Sequence, residues 1–178
     1  MDKKGGKGKG KGSTAVNLVN KVVTRLNQKA FFIRSVDAGM IMDANYVGKV
    51  VLSEPDNNRQ IYQKFEFTAS EVPGVYMIKS VLSGLYLCGD ELGNVFTDLH
   101  DHYNTFQKWN CTETTAGSFV IKNHSSNLAI CVSLLNDIFS KEIPGPTKQK
   151  VLEGKETKIA EVPGDIPSAM QWTLSTSR

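Results

Sequence analysis

One pattern recurs three times after residue 30 and limits what this chain can fold into. Phe32-Ile33-Arg34-Ser35 leads to Gly39-Met40-Ile41-Met42, and Met77-Ile78-Lys79-Ser80 leads to Gly84-Leu85-Tyr86-Leu87. The third copy is Val120-Ile121-Lys122-Asn123 followed by Asn127-Leu128-Ala129-Ile130. In each copy a Ser or Asn stands four residues before a Gly or Asn, and three apolar residues follow directly. Six residues further on come Gly48, Gly93 and Asn136, types that tolerate positive φ, and then Val50-Val51, Val95-Phe96 and Ile138-Phe139. Each copy closes on an aromatic: Phe65, Trp109 and Trp172.

The first two closing aromatics lie 44 residues apart and the third lies 63 beyond, so copy three carries about twenty extra residues within 140–168. That stretch is rich in Lys, Glu, Gly and Pro, which predicts an exposed loop. Short apolar runs separated by Gly, Asn, Asp and Ser predict an all-β chain. A four-strand unit of this size cannot bury its apolar face alone. Three units of four strands, at about 30–69, 74–115 and 117–178, close on one another around a pseudo-three-fold axis and leave no open sheet edge. Phe65, Trp109 and Trp172, with Ile33, Ile78 and Ile121, are the expected core layers.

This arrangement resembles the β-trefoil superfamily over about residues 28–178. Gln63-Lys64-Phe65 and Gln107-Lys108-Trp109 are similar to the Gln-x-Trp signature of the ricin-B-type lectins; the third copy has Met170 in the glutamine position. The line YMIKSVLSGLYLCGDELGNVF bears a weaker likeness to the fibroblast-growth-factor-like branch of the same fold. The resemblance to lectins implies sugar pockets built from an Asp after the second strand, a stacking ring and a polar residue beside the Gln-x-Trp. A carboxylate accepts paired sugar hydroxyls while an apolar ring covers the C–H face of a pyranose. Asp43 holds the carboxylate position; Cys88 and Cys131 replace it in the other copies. The ring positions fall at Ser53-Glu54 and Leu99-His100, and Tyr62 and Phe106 replace the polar partner. Copy one is the least altered, and its candidate carbohydrate-binding residues are Asp43, Asn45, Tyr46, Asn57, Asn58 and Gln63.

The 21 basic and 18 acidic side chains give a net charge of +3, but not evenly. Residues 1–12 hold five lysines (Lys3, Lys4, Lys7, Lys9 and Lys11) against Asp2, which leaves 16 basic and 17 acidic residues for the rest. This Lys/Gly tail has no apolar group to bury and is expected to be disordered. It is a weak, non-specific anion-binding arm for nucleic acid or anionic lipid, or a solubilising one. Residues 13–29, with Ala15, Val19, Val22 and Leu26 at helical spacing and β-branched Val22-Val23-Thr24 against it, predict a short helix or extended segment.

No apolar stretch approaches the roughly 20 residues that span a bilayer, and the N-terminus lacks the apolar core of a signal peptide. The expected location is the cytoplasm, or outside the cell by a route that uses no classical signal peptide. Three cysteines without metal-ligand spacing read as buried thiols, and His100-Asp101-His102 has no third ligand nearby, so no metal site is expected. No P-loop, dinucleotide fingerprint or nucleophile elbow occurs, so neither catalysis nor a cofactor is expected. Asn110-Cys-Thr and Asn123-His-Ser match the glycosylation pattern.

The residues and the resemblance together give a non-catalytic, lectin-like module with a glycan or glycoprotein partner. The alternatives are a protein-binding trefoil of growth-factor, cytokine or actin-binding kind, and a capsid-like protein whose basic arm holds nucleic acid. The arm makes its own prediction. Titration of the full chain with DNA at several salt concentrations gives a log–log slope no steeper than about −4 to −5. Deleting residues 1–12 flattens it.

Overall fold

The computed structural model of the chain describes Leu26 and residues 29–145, 147–153, 156–162 and 166–177. The lysine tail and the apolar series at 13–25 lie outside the described residues. Each copy of the repeat becomes four strands. Copy one is β1 (Lys29–Ser35), β2 (Ile41–Ala44), β3 (Val50–Ser53) and β4 (Lys64–Ala69). Copy two is β5 (Val75–Ser80), β6 (Tyr86–Gly89), β7 (Val95–Asp98) and β8 (Lys108–Glu113). Copy three is β9 (Phe119–Asn123), β10 (Ala129–Val132), β11 (Ile138–Lys141) and, after an inserted pair, β14 (Trp172–Ser175). A short 3₁₀ turn precedes the last strand of every copy.

First and last strands build the barrel. β1 pairs with β4, β4 with β5, β5 with β8, β8 with β9 and β9 with β14. β14 returns to β1, where Ile33 faces Leu174, so the six strands form a closed ring. The middle strands form three hairpins, β2–β3, β6–β7 and β10–β11, which cap one end. The result is a β-trefoil. Among the described residues no helix is long and apolar enough to cross a membrane.

The conserved spacing within the chain now has a physical cause. Ser35, Ser80 and Asn123 end the first strands, and their side chains accept backbone N–H groups from Ala38, Ser83 and Ser125. Four residues on, Gly39, Gly84 and Asn127 complete the turn with positive φ. The apolar residues that follow enter the core. Phe65, Trp109, Trp172, Ile33, Ile78 and Ile121 are all fully buried there, joined by Leu26. Each such side chain contributes roughly 2 kcal/mol by leaving water. Trp109 and Trp172 also donate their indole N–H to Leu87 and Ile130 carbonyls at 2.9 and 3.1 Å, the same position in successive hairpins. Phe65 has no such donor.

The inserted segment is not a loop. Thr147–Glu153 (β12) and Glu156–Val162 (β13) pair from Thr147↔Val162 to Glu153↔Glu156 in a two-stranded sheet of their own. Composition alone had pointed to an exposed loop, but TKQKVLE and ETKIAEV supply β-branched residues in both arms, and two residues suffice to connect them.

Two glycines knit the cap together. Gly48 (φ 87°) lies so close to copy two that a Cβ would come within 2.5 Å of the Thr97 carbonyl oxygen. Gly93 (φ 89°) would meet the Ser140 carbonyl oxygen at 2.4 Å. Thr97 and Ser140 donate their N–H groups to the Gly48 and Gly93 carbonyls at 2.8 and 2.7 Å. The third equivalent is Asn136, also at positive φ, and no such bond joins it to Leu52, the counterpart of Thr97 and Ser140, among the described residues. Gly39 shares the backbone conformation without the crowding, since nothing lies within 4 Å of its virtual Cβ. Gly39→Ala therefore meets only the left-handed penalty of about 1–2 kcal/mol. Gly93→Ala adds a backbone clash and is expected to cost at least about 1 kcal/mol more in urea unfolding.

Candidate functional site

The third residue of each second strand is the position from which a carboxylate reaches a sugar in the lectin pattern. In copy one it is Asp43, and β2 carries it under the surface with 1% exposure. Such a carboxylate needs partners. Ser53 Oγ donates to its Oδ2 at 3.0 Å, and the Arg59 guanidinium meets both oxygens at 3.1 Å. Arg59 comes from the 3₁₀ turn Asn57–Arg59, capped by Asp56, whose side chain accepts the Asn58 N–H at 2.8 Å. Its side chain stays 47% exposed and lies over the Tyr62 ring, 4.9 Å from the centroid. Tyr62 in turn meets Tyr46 edge to face at 6.0 Å. A buried carboxylate, a half-exposed guanidinium and two tyrosine rings thus form one surface patch.

The six residues proposed from sequence divide between patch and scaffold. Asp43 and Tyr46 belong to the patch, and Asn57 and Asn58 are exposed on the turn beside it. Asn45 is consumed by its own hairpin: its Oδ1 accepts the Val47 and Lys49 N–H groups at 3.1 and 2.9 Å. Asp90 and Ser133 do the same in the other two hairpins. Gln63 is fully buried and braces a loop, donating to Ser53 Oγ and the Glu54 carbonyl while accepting the Asp56 N–H. Gln107 spans from the Leu99 carbonyl to the Asp101 N–H in the same way. In copy three, Gln171 takes this work from the neighbouring position, donating to the Ile166 carbonyl and accepting from Ser118. Met170 is freed to join Val120, Ala129 and Cys131 in a small apolar cluster.

Arg59 is not among those six, and Ser53, a ring position in the sequence pattern, instead supports Asp43. One signal was available, because Arg59 is the only cation between residues 50 and 63 and the buried Asp43 requires one. The five tail lysines lie outside the described residues.

The other two copies lack this arrangement. Cys88 and Cys131 occupy the Asp43 position and are buried, as is Cys111. Burial pushes the Cys88 and Cys131 thiols up to about 11, and Cys111 higher still. Asn104 donates weakly to Cys88 Sγ at 3.8 Å, and the His100 ring packs on Tyr86 with centroids 4.8 Å apart. Asp101 caps its own turn by accepting the Tyr103 N–H. No group of three or more metal-ligating side chains occurs among the described residues.

A family model described as the ricin-type β-trefoil lectin domain-like family matches residues 61–137. A search of curated proteins finds no match to this chain. Among solved structures, the GlcNAcα1-4Gal-releasing endo-β-galactosidase from Clostridium perfringens aligns with 14% identity and a TM-score of 0.64, over 83% of this chain and 32% of that one. A GH43 β-1,3-galactosidase aligns with 15% identity and a TM-score of 0.59, over 82% of this chain and 26% of that one. This chain thus spans about a third or less of either enzyme. The designed three-fold symmetric protein ThreeFoil aligns with 15% identity and a TM-score of 0.59, over 82% and 96%. The protein is a β-trefoil, and over its middle portion it resembles the ricin-type lectin domains.

Burial of the thiols sets a simple test. The native protein at pH 8 is expected to release less than about one equivalent of thiol to Ellman's reagent, since thiolate is scarce and shielded. Unfolding in guanidinium should expose all three cysteines. Rapid native labelling of Cys88 would show that its pocket is open.

Proposed function

We propose that this chain is a non-catalytic carbohydrate-binding module that holds a glycan on copy one. The observation that carries this reading is the Asp43–Arg59 pair beside the exposed Tyr46 ring, in the one copy that keeps the lectin carboxylate. The lectin pattern is rewired here. The ring position at the end of the third strand is Ser53, whose hydroxyl turns inward to Asp43. Tyr46, 63% exposed at the tip of the β2–β3 hairpin, is the available platform in its place. Its face covers the C–H side of a pyranose, and two vicinal hydroxyls meet the outer edge of the Arg59 guanidinium, which the buried Asp43 carboxylate holds in place. The guanidinium donates to the hydroxyl oxygens, and Asp43 fixes its orientation from beneath.

Arg59 also sets selectivity. The carboxylate is already paired, so a neutral sugar gains only what exceeds the existing ion pair, and single-site affinity is expected near 1 mM or about −4 kcal/mol. The family match and the galactosidase neighbours support a glycan ligand of galactose type. The match to a lectin family supports the non-catalytic reading.

A glycan array probed with the full chain tests this. Galactose-terminated glycans should bind, and Tyr46→Ala and Asp43→Asn should each weaken them at least about ten-fold, or about 1.4 kcal/mol. Binding no higher than background, or undiminished in both variants, would overturn the copy-one site.

A further inference from the structure

The cap carries a second surface that glycan binding on copy one does not use. The three hairpin turns read NYVGK, DELGN and SLLND, and each places an aliphatic residue at its tip. Val47, Leu92, Leu134 and Leu135 are between 84% and 101% exposed. The turns do not need them. Asn45, Asp90 and Ser133 hold the backbone, and Gly48, Gly93 and Asn136 supply the positive φ. Because the turns are related by the pseudo-three-fold axis, these side chains share one end of the barrel.

The same end has an opening. Where Gly48 and Gly93 bring two seams of the cap into hydrogen bonding, the third turn carries Asn136, and no such bond joins it to β3 among the described residues. An open cavity of about 460 Å³ lies there, lined by Val50, Leu52, Val95, Leu135 and Ile138 together with the polar side chains of Lys49, Asn136 and Asp137. Leu52 sits where Thr97 and Ser140 sit in the closed seams, but no turn carbonyl accepts its N–H among the described residues. Lys49 is the only cation on the three turns, against Asp90, Glu91 and Asp137.

We propose that this cap face docks a protein partner, whose apolar anchor side chain fills the third-seam cavity while flanking basic residues meet Glu91 and Asp137. Leu134, Leu135, Leu92 and Val47 form the surrounding apolar contact. The chemistry favours a protein over a bilayer. A flat lipid surface cannot fill a recess or accept the Leu52 N–H, and the net acidic turns oppose an anionic leaflet. An interface with an apolar centre and a charged rim meets all three conditions.

The test uses the full chain, isotope-labelled for amide NMR, and the peptide acetyl-Gly-Lys-Val-Leu-Lys-Gly-amide. The expected result is shifts at Val51, Leu52, Leu135 and Ile138 with a Kd near 1 mM. Replacing the two lysines by glutamates, or the Val-Leu pair by serines, should each weaken binding at least about five-fold. Asn136→Gly keeps the positive φ and lets the turn approach Leu52, so it should retain the fold and lose the shifts. Leu134→Asp, at a fully exposed site, should weaken binding without altering the spectrum elsewhere. No shifts at about 5 mM peptide, equal shifts from the serine peptide, or undiminished shifts in Asn136→Gly would each overturn the proposal. Co-sedimentation of the chain with phosphatidylcholine vesicles that Leu134→Asp abolishes, in the absence of peptide shifts, would reassign the face to lipid and overturn it equally.

Discussion

Barrel closure is the interaction on which everything else rests, because β14 must pair with β1 before any copy has a buried face. One four-strand unit offers a few aromatic and aliphatic residues on one side and nothing to cover them. The ring β1–β4–β5–β8–β9–β14 places Phe65, Trp109 and Trp172 around a common interior. It also fixes where the second strands begin, and so where Asp43, Cys88 and Cys131 come to lie. Three equivalent positions are held by the same scaffold, and only the side chain decides what each can do.

That separation of scaffold from chemistry explains how the copies diverged. Gln63, Gln107 and Gln171 preserve a loop brace although the third has moved by one residue, since the brace requires an amide near the loop and not a particular register. The Asp43 position is under no such demand. A thiol fills it in copies two and three, surrounded by apolar groups or by Asn104. Copy one has the carboxylate together with Arg59, which neutralises a buried charge that would otherwise be costly. The cap shows the same logic: Asn136 adopts the positive φ of Gly48 and Gly93 without their backbone bond to the neighbouring copy among the described residues.

Most of the fold was legible in the sequence because its determinants are local and repeated. Ser35, Ser80 and Asn123, the positive-φ residues four positions on, and the closing aromatics each act within a few residues, and three copies confirm one another. The inserted hairpin escaped because its Lys, Glu and Gly content resembles a loop, while its pairing depends on the register of two arms. The copy-one patch was half legible. Asp43 and Tyr46 follow from hairpin position, but Asn45 and Gln63 answered to turn and loop geometry that residue type alone does not reveal. Arg59 reaches Asp43 across sixteen residues, a contact that only the folded chain makes.

The most direct measurement of the central claim is a crystal structure of the full chain soaked in lactose. The account predicts a galactose ring stacked on Tyr46, with two hydroxyls on the outer edge of Arg59 and nothing at Cys88 or Cys131. Sugar bound at another copy, or an unoccupied copy-one patch at saturating lactose, would contradict it.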